Sequence, residues 1–199
     1  KAEEQKKQEK KEVTLPVLTY QVNIKGDGWK SSVKDGTSAG ERGSSKVVES
    51  LKLYLKDSDG NSAIRYAAHI IDDGWQDWKT SGYIAGTQGQ SKYIDSLKVT
   101  MLDKYTALYD VYYRVYVQNY GWLGWAKNGE IAGSTGVKMP IEAIAVKIVE
   151  KGSVFDVKGA CYLNTPKLTY QAHVADVGWQ KEVGNAQTAG TTGQSKAME

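Results

Sequence analysis

One pattern governs what this chain can fold into: a Tyr, a Gly-Trp dipeptide and an Ala-Gly dipeptide recur in one register four times. The Tyr/Trp pairs are Tyr20/Trp29, Tyr66/Trp75, Tyr113/Trp122 and Tyr170/Trp179, nine residues apart in each case. Ten residues after each Trp stands Ala39-Gly40, Ala85-Gly86, Ala132-Gly133 or Ala189-Gly190. An apolar residue and an acid follow at Val48-Glu49, Ile94-Asp95, Ile141-Glu142 and Met198-Glu199. Such self-similarity marks a repeat architecture, in which one unit cannot bury its apolar face without its neighbours.

The spacing also sets the domain organisation. Successive Trp residues are offset by 46, 47 and 57 positions, so ten extra residues separate the third repeat from the fourth. Repeats one and four open alike, at Pro16 and Pro166, and these prolines mark the start of a unit three repeats long. Residues 17–157 are therefore expected to form a complete module of repeats 17–61, 62–108 and 109–157. Residues 158–166 read as a linker, and 167–199 as a truncated fourth repeat that starts a second module. Segment 1–16 reads as a charged, disordered or helical tether, because Lys1–Glu12 holds five Lys, four Glu and nothing apolar larger than Ala.

Within a repeat the period is that of strands. Leu51, Leu53 and Leu55 alternate with polar neighbours, as do Leu97, Val99 and Met101, and Ile144, Val146 and Ile148. Tyr20–Ile24, Tyr66–Ile70, Tyr113–Val117 and Tyr170–Val174 read as a second set. Asp35-Gly36, Ser81-Gly82 and Asn128-Gly129 occupy one equivalent position and predict a turn with φ > 0, weakened to Asn185-Ala186 in repeat four. The fold class is all-β. A closed pseudo-three-fold module removes exposed strand edges, and a β-trefoil is the expected form with a β-prism as the alternative.

Composition narrows the function. Thirteen Tyr and six Trp against one Phe favour rings with a polar edge, suited to half-wet positions. A net charge of +3 is too small and dispersed to argue for nucleic acid. The single Cys, Cys161, precludes an intrachain disulfide and a thiolate metal cluster. No apolar run approaches the ~20 residues of a membrane span. With no initiator Met and no signal peptide, the chain reads as part of a longer protein and does not report its own compartment.

The stretch from Tyr113 through Tyr120-Gly121-Trp122-Leu123-Gly124-Trp125 to Asn128-Gly129 and Ala132-Gly133 resembles the clostridial hydrophobic repeat family, a ChW-type module named for its Gly-Trp dipeptide. So does Ala189-Gly190-Thr191-Thr192-Gly193-Gln194-Ser195. The resemblance covers nearly everything after residue 17. It implies a secreted or cell-surface module of a Gram-positive, clostridium-like bacterium, often in groups of three repeats, with no catalytic activity attached to the repeat. Departures are Ser32 and Glu182 in place of a second Trp, and Val137-Lys138 where repeat two has Gln90-Ser91.

Candidate chemistry then falls into a few groups. Trp29, Trp75, Trp122 and Trp179, with Tyr20, Tyr66, Tyr113 and Tyr170, are the structural repeat residues, and a core plug is the favoured role of each Gly-Trp ring. Trp78 and Trp125 add a second ring in only two repeats, as surface platforms or as cross-strand packing. Planar rings stack on the apolar faces of sugars while amides satisfy hydroxyls. Trp78, Trp125, Trp75, Trp122, Asn128 and Gln76 are thus the ligand-binding candidates, and polysaccharide or cell-wall glycan the leading partner, with a surface protein as the alternative. His69 and His173 share a slot with Asn23 and Tyr116, too tolerant a position for a catalytic base. The recurring acids are spread one per repeat, which suits a salt bridge or backbone cap better than a facing catalytic pair. Asp57-Ser58-Asp59-Gly60-Asn61 lacks calcium-loop spacing and reads as a hairpin turn. No metal or cofactor is expected, and the chain is not expected to be an enzyme.

Overall fold

The structure, a computed structural model, describes residues 17–163, 170–183 and 188–198. The tether 1–16, Pro16, Pro166, the Asn185-Ala186 turn and Glu199 lie outside the described residues. The chain divides into two compact units, with the boundary between Leu163 and Asn164.

The first unit is built from three copies of one five-strand arrangement. Repeat one supplies β1 (Thr19–Ile24), β2 (Gly28–Trp29), β3 (Val33–Lys34), β4 (Ala39–Gly40) and β5 (Val48–Tyr54). Repeat two supplies β6 (Ile64–Ile70), β7 (Gly74–Trp75), β8 (Lys79–Thr80), β9 (Ala85–Gly86) and β10 (Ile94–Met101). A 3₁₀ turn, Asp103–Ala107, leads to repeat three, with β11 (Tyr109–Val117), β12 (Gly121–Trp122), β13 (Ala126–Lys127), β14 (Ala132–Gly133) and β15 (Ile141–Glu150). The described chain is therefore all-β, and every pairing between these strands is antiparallel.

Two long strands form the spine of each repeat: β1 with β5, β6 with β10, β11 with β15. Their inward alternation buries Tyr20, Val22 and Ile24 against Leu51 and Leu53, and the other repeats do the same. The short Ala-Gly strands stitch one repeat to another. β9 pairs with β5, β14 with β10, and β4 with β15, so repeat two joins one, three joins two, and one joins three. The Gly of each pair is demanded by this contact. A Cβ on Gly40, Gly86 or Gly133 would lie 2.2 Å from the backbone oxygen of Glu142, Glu49 or Asp95. The Gly36, Gly82 and Gly129 turns add a second stitch, donating to the Val146, Leu53 and Val99 carbonyls at 2.7–2.8 Å.

The recurring acid sits at a β-bulge in each long strand, skipped by the register between Asn23/Ile24, Ile94/Ser96 and Tyr116/Val117. A bulge leaves one residue unpaired and turns its side chain out of the pleat's alternation. Here it turns the acid onto the neighbouring repeat. Glu142 accepts from Gly43 N–H at 2.5 Å and Ser45 N–H at 3.0 Å, and Glu49 accepts from Gly89 N–H at 3.1 Å. Asp95, one methylene shorter, instead lies 2.7 Å from His69 Nδ1, while Ser96 Oγ accepts from Ser134 N–H at 3.0 Å. Asp57 closes its own turn, accepting from the N–H groups of Asp59 and Asn61 at 3.0 and 2.8 Å.

Two expectations need correction. The Gly-Trp rings are not the core plug: Trp29, Trp75 and Trp122 are half-buried, whereas Tyr20, Tyr66 and Tyr113 are fully buried. The reason is position, since Tyr lies within a long strand in phase with the apolar face and Trp in a two-residue edge strand. Nor is 158–163 a spacer. Gly124 N–H donates to Ala160 O at 2.8 Å, Gly133 N–H to Cys161 O at 3.0 Å and Leu163 N–H to Gly133 O at 2.8 Å. Cys161 and Leu163 pack on the core, so this stretch belongs to repeat three.

The second unit carries β16 (His173–Val174) paired with β17 (Gly178–Trp179). Its bridge Val174↔Met198 repeats the register of Ile24↔Val48, Ile70↔Ile94 and Val117↔Ile141.

Candidate functional site

Each Gly-Trp strand hairpins back onto the long strand before it, which pairs the Trp with one slot: Asn23↔Trp29, His69↔Trp75, Tyr116↔Trp122 and His173↔Trp179. Where the slot is aromatic, its ring meets the Trp edge-on. The centroid distances are 5.3 Å for His69–Trp75, 5.6 Å for Tyr116–Trp122 and 5.3 Å for His173–Trp179. The slot residue orients the indole. In His69 the ring is fixed from behind by Asp95, a carboxyl whose pKa burial pushes up while the nearby His69 opposes the rise.

A cation covers the Trp of each repeat in the first unit. Lys52 Nζ lies 4.6 Å from the Trp29 centroid, Lys98 Nζ 4.2 Å from Trp75, and the Arg114 guanidinium 4.4 Å from Trp122. The cation comes from different strands. Lys52 stands opposite Gln21, and Lys98 opposite Ala67, whereas in repeat three the order is reversed, with Arg114 opposite Ala145. Losing the Lys on one strand is matched by gaining an Arg on its partner. Such a stack contributes ~0.5–1 kcal/mol at an exposed site and ~2 kcal/mol when desolvated.

The second rings differ in setting. Trp78 is 42% exposed, with the Arg65 guanidinium 4.9 Å from its centroid. Trp125 is half-buried: Arg114 lies 4.6 Å from it and Phe155 meets it edge-on at 5.2 Å. Phe155 in turn stacks on Tyr112 at 4.1 Å. The other amide candidates have internal partners. Gln76 Oε1 accepts from Gly86 N–H at 2.6 Å and its Nε2 donates to Gly86 O at 3.2 Å, which pins the Ala-Gly strand. Asn128 Oδ1 accepts from Val111 N–H at 2.9 Å, and its Nδ2 donates to Asp110 at 2.7 Å. Trp179 is 70% exposed in the second unit.

The structure thus brings Trp75 and Trp78 onto one repeat's surface, and Trp122 and Trp125 together at Arg114. Sequence reasoning missed Lys52, Lys98, Arg114 and Arg65 as partners of these rings, and missed Phe155. The signal for the first two was present, since each Lys follows the recurring acid by three residues. Among the described residues, no three His, Cys, Asp or Glu side chains converge on a point that could hold a metal ion.

Comparison with known families agrees with this repeat unit. The family model described as "Clostridial hydrophobic W" (ChW) matches residues 23–57, 69–102, 116–150 and 173–199, each match beginning at the slot residue that faces the Trp. The chain belongs to the ChW family. Comparison with curated proteins and with solved structures finds no match. The Gly-Trp and Ala-Gly dipeptides of all four repeats lie within these ChW matches.

Proposed function

We propose that this ChW chain is a non-catalytic, extracellular binding module for carbohydrate, most directly cell-wall glycan, with a related site on each repeat. One observation carries the reading: the repeated Trp of the first unit stays only half-buried, oriented by its slot residue and backed by a cation, so part of each indole is left to solvent. An indole held this way presents a flat apolar area to the C–H face of a sugar, and the fixed ring loses little conformational freedom on binding. Several weak copies on one module gain avidity on a polymer, because each further contact becomes intramolecular.

The pairing of β4, β9 and β14 with the long strands of other repeats supports a closed pseudo-three-fold arrangement, which we take to be β-trefoil-like. Location at the cell surface or outside the cell rests on the family resemblance. The second reading, a protein-adhesion module, is favoured by the internal bonding of Gln76 and Asn128, which leaves fewer amides for sugar hydroxyls. The test is Trp78→Ala with Trp125→Ala, checked for intact folding and assayed on clostridial cell wall and on soluble glycans. Loss of binding with folding intact supports the glycan reading. Undiminished binding refutes the stacking platform and moves protein adhesion ahead.

A further inference from the structure

The chain has three arginines, Arg42, Arg65 and Arg114. Among the described residues every ion pair uses Lys or His as its cation, and none uses an arginine. This division is not forced by a shortage of acids. Glu41, next to Arg42 in sequence, is bound by Lys30 at 2.5 Å and Lys46 at 3.1 Å. Glu142 is taken up by the backbone of the Gly43–Ser45 loop.

Two of the three arginines converge at a single junction. β4 lies on β15, and the Glu41 N–H continues that pairing onto Glu142 O at 3.1 Å, so Arg42 follows directly along the edge of repeat three. A Cβ on Gly43 would stand 3.6 Å from the Tyr116 hydroxyl, which puts this loop beside the Tyr116–Trp122 pair. Arg114 lies against both Trp122 and Trp125, and its Nε is buried with no hydrogen-bond partner. An unpaired buried donor on a charged group is costly, and in a native fold it calls for an explanation. The two positive charges also act on each other: burial first, and then Arg42, lower the pKa of Arg114.

The other junctions lack this. The positions of Arg114 and Arg42 are taken by Gln21 and Gln88 between repeats one and two, and by Ala67 and Thr135 between repeats two and three. Thr135 is moreover occupied, donating to Ser96 Oγ at 2.6 Å.

We propose that the junction of repeats three and one is a site for an oxyanion carried on a glycan, a carboxylate or a phosphate, held by Arg114 and Arg42 with the sugar against Trp122 and Trp125. This deepens the glycan reading and rests on it. A guanidinium suits such a group because its planar fork donates parallel hydrogen bonds to two oxygens, while its face stays stacked on the indole. The site is unique in the module, so acidic glycans engage one junction and neutral ones the related surfaces of all repeats.

The experiment titrates the full chain with poly(glycerol phosphate) bearing N-acetylglucosamine, with polygalacturonate, with neutral N-acetylglucosamine oligomers and with inorganic phosphate, at low and high salt. Phosphate and carboxylate are thereby separate arms. The variants are Arg114→Gln, Arg42→Gln on its exposed loop, and Lys104→Gln as a control with the same change of charge. At low salt the parent is expected to prefer at least one acidic polymer over the neutral oligomers by about tenfold or more, as charge-assisted hydrogen bonds allow. Arg42→Gln and Arg114→Gln abolish that preference and Lys104→Gln does not. Retention of the preference in Arg42→Gln, which leaves the packing untouched, overturns the site. Equal binding of acidic and neutral glycans overturns it too, while leaving the glycan reading standing. Inorganic phosphate that perturbs the Trp122 and Trp125 indoles, with no glycan bound in any arm, supports the oxyanion site and refutes the glycan reading.

Discussion

Glu142 reaches across the chain to Gly43: its Oε2 accepts the Gly43 N–H at 2.5 Å, and its other oxygen takes Ser45 N–H at 3.0 Å. The carboxylate, itself 1% exposed, ties repeat three to the loop of repeat one. Glu142→Ala leaves those donors without their acceptor and is expected to cost about 2–3 kcal/mol. Chemical denaturation reads this as a lower midpoint. Glu142→Gln, which keeps one acceptor oxygen, loses less. Equal stability of parent and Glu142→Ala would show that the tie is dispensable.

The three central tyrosines predict an alkaline limit. Tyr20 donates to Thr37 O and accepts from Val146 N–H at 3.1 Å, Tyr66 donates to Tyr83 O, and Tyr113 to Glu130 O. Burial pushes the Tyr20 and Tyr66 hydroxyls up to about 12 from 10.0, and raises Tyr113 as well. The unfolded chain therefore loses these protons first. Stability holds below pH 10.0 and falls as pH rises from there towards about 12. Phenolate absorbance should appear together with loss of the folded signal, and Tyr66→Phe should cost roughly 1–3 kcal/mol at neutral pH. Ionisation of all tyrosines at pH 10.0 in a folded chain would contradict this.

Asp110 predicts an acid limit by the opposite sign. Burial raises its pKa, but Lys151 at 2.8 Å, Lys127 at 2.9 Å and Asn128 at 2.7 Å outweigh it and hold the carboxyl below the ordinary 3.8. Its contribution is present above pH 3.8 and is lost as pH falls below that value. Asp110→Asn should be less stable than the parent at neutral pH, with the gap closing below pH 3.8. Asn128→Ala should lower stability through the same contacts. A gap that does not change with pH would remove Asp110 from this role.

The exchange of cations across the strand pair can be moved by design. Arg114→Gln uncovers Trp122 and should cost ~0.5–2 kcal/mol. Adding Ala145→Lys recreates the Gln21/Lys52 arrangement of repeat one and should recover part of that loss in thermal unfolding. A double variant no more stable than the single one would show that the cation does not stabilise the ring.

Much of this was legible from residue order alone. The recurring Tyr, Gly-Trp and Ala-Gly gave the repeat, alternation at Leu51, Leu53 and Leu55 gave the long strands, and the lone acid per repeat suited a salt bridge or a backbone cap, with Glu49 and Glu142 capping backbone and Asp95 facing His69. The exchange of roles between Tyr and Trp was less visible, because both recur equally often. Only strand phase separates them: Tyr20 alternates with Val22 and Ile24, whereas Trp29 does not belong to that series. The Arg114 cluster was hidden for another reason. It joins residues from repeats three and one that share no repeated position, and Phe155 and the 158–163 stretch have no counterpart in the other repeats.

The central claim, that surface indoles of the ChW repeats take up glycan, is tested most directly by following the Trp indole N–H resonances by NMR. The chain, assigned by single Trp→Phe variants, is titrated with soluble cell-wall glycan fragments. The account predicts saturable shifts of the Trp75, Trp78, Trp122 and Trp125 indoles, with weaker shifts of Trp29, whose repeat has Ser32 in place of the second ring. Saturable binding that leaves all five indoles unmoved would contradict it.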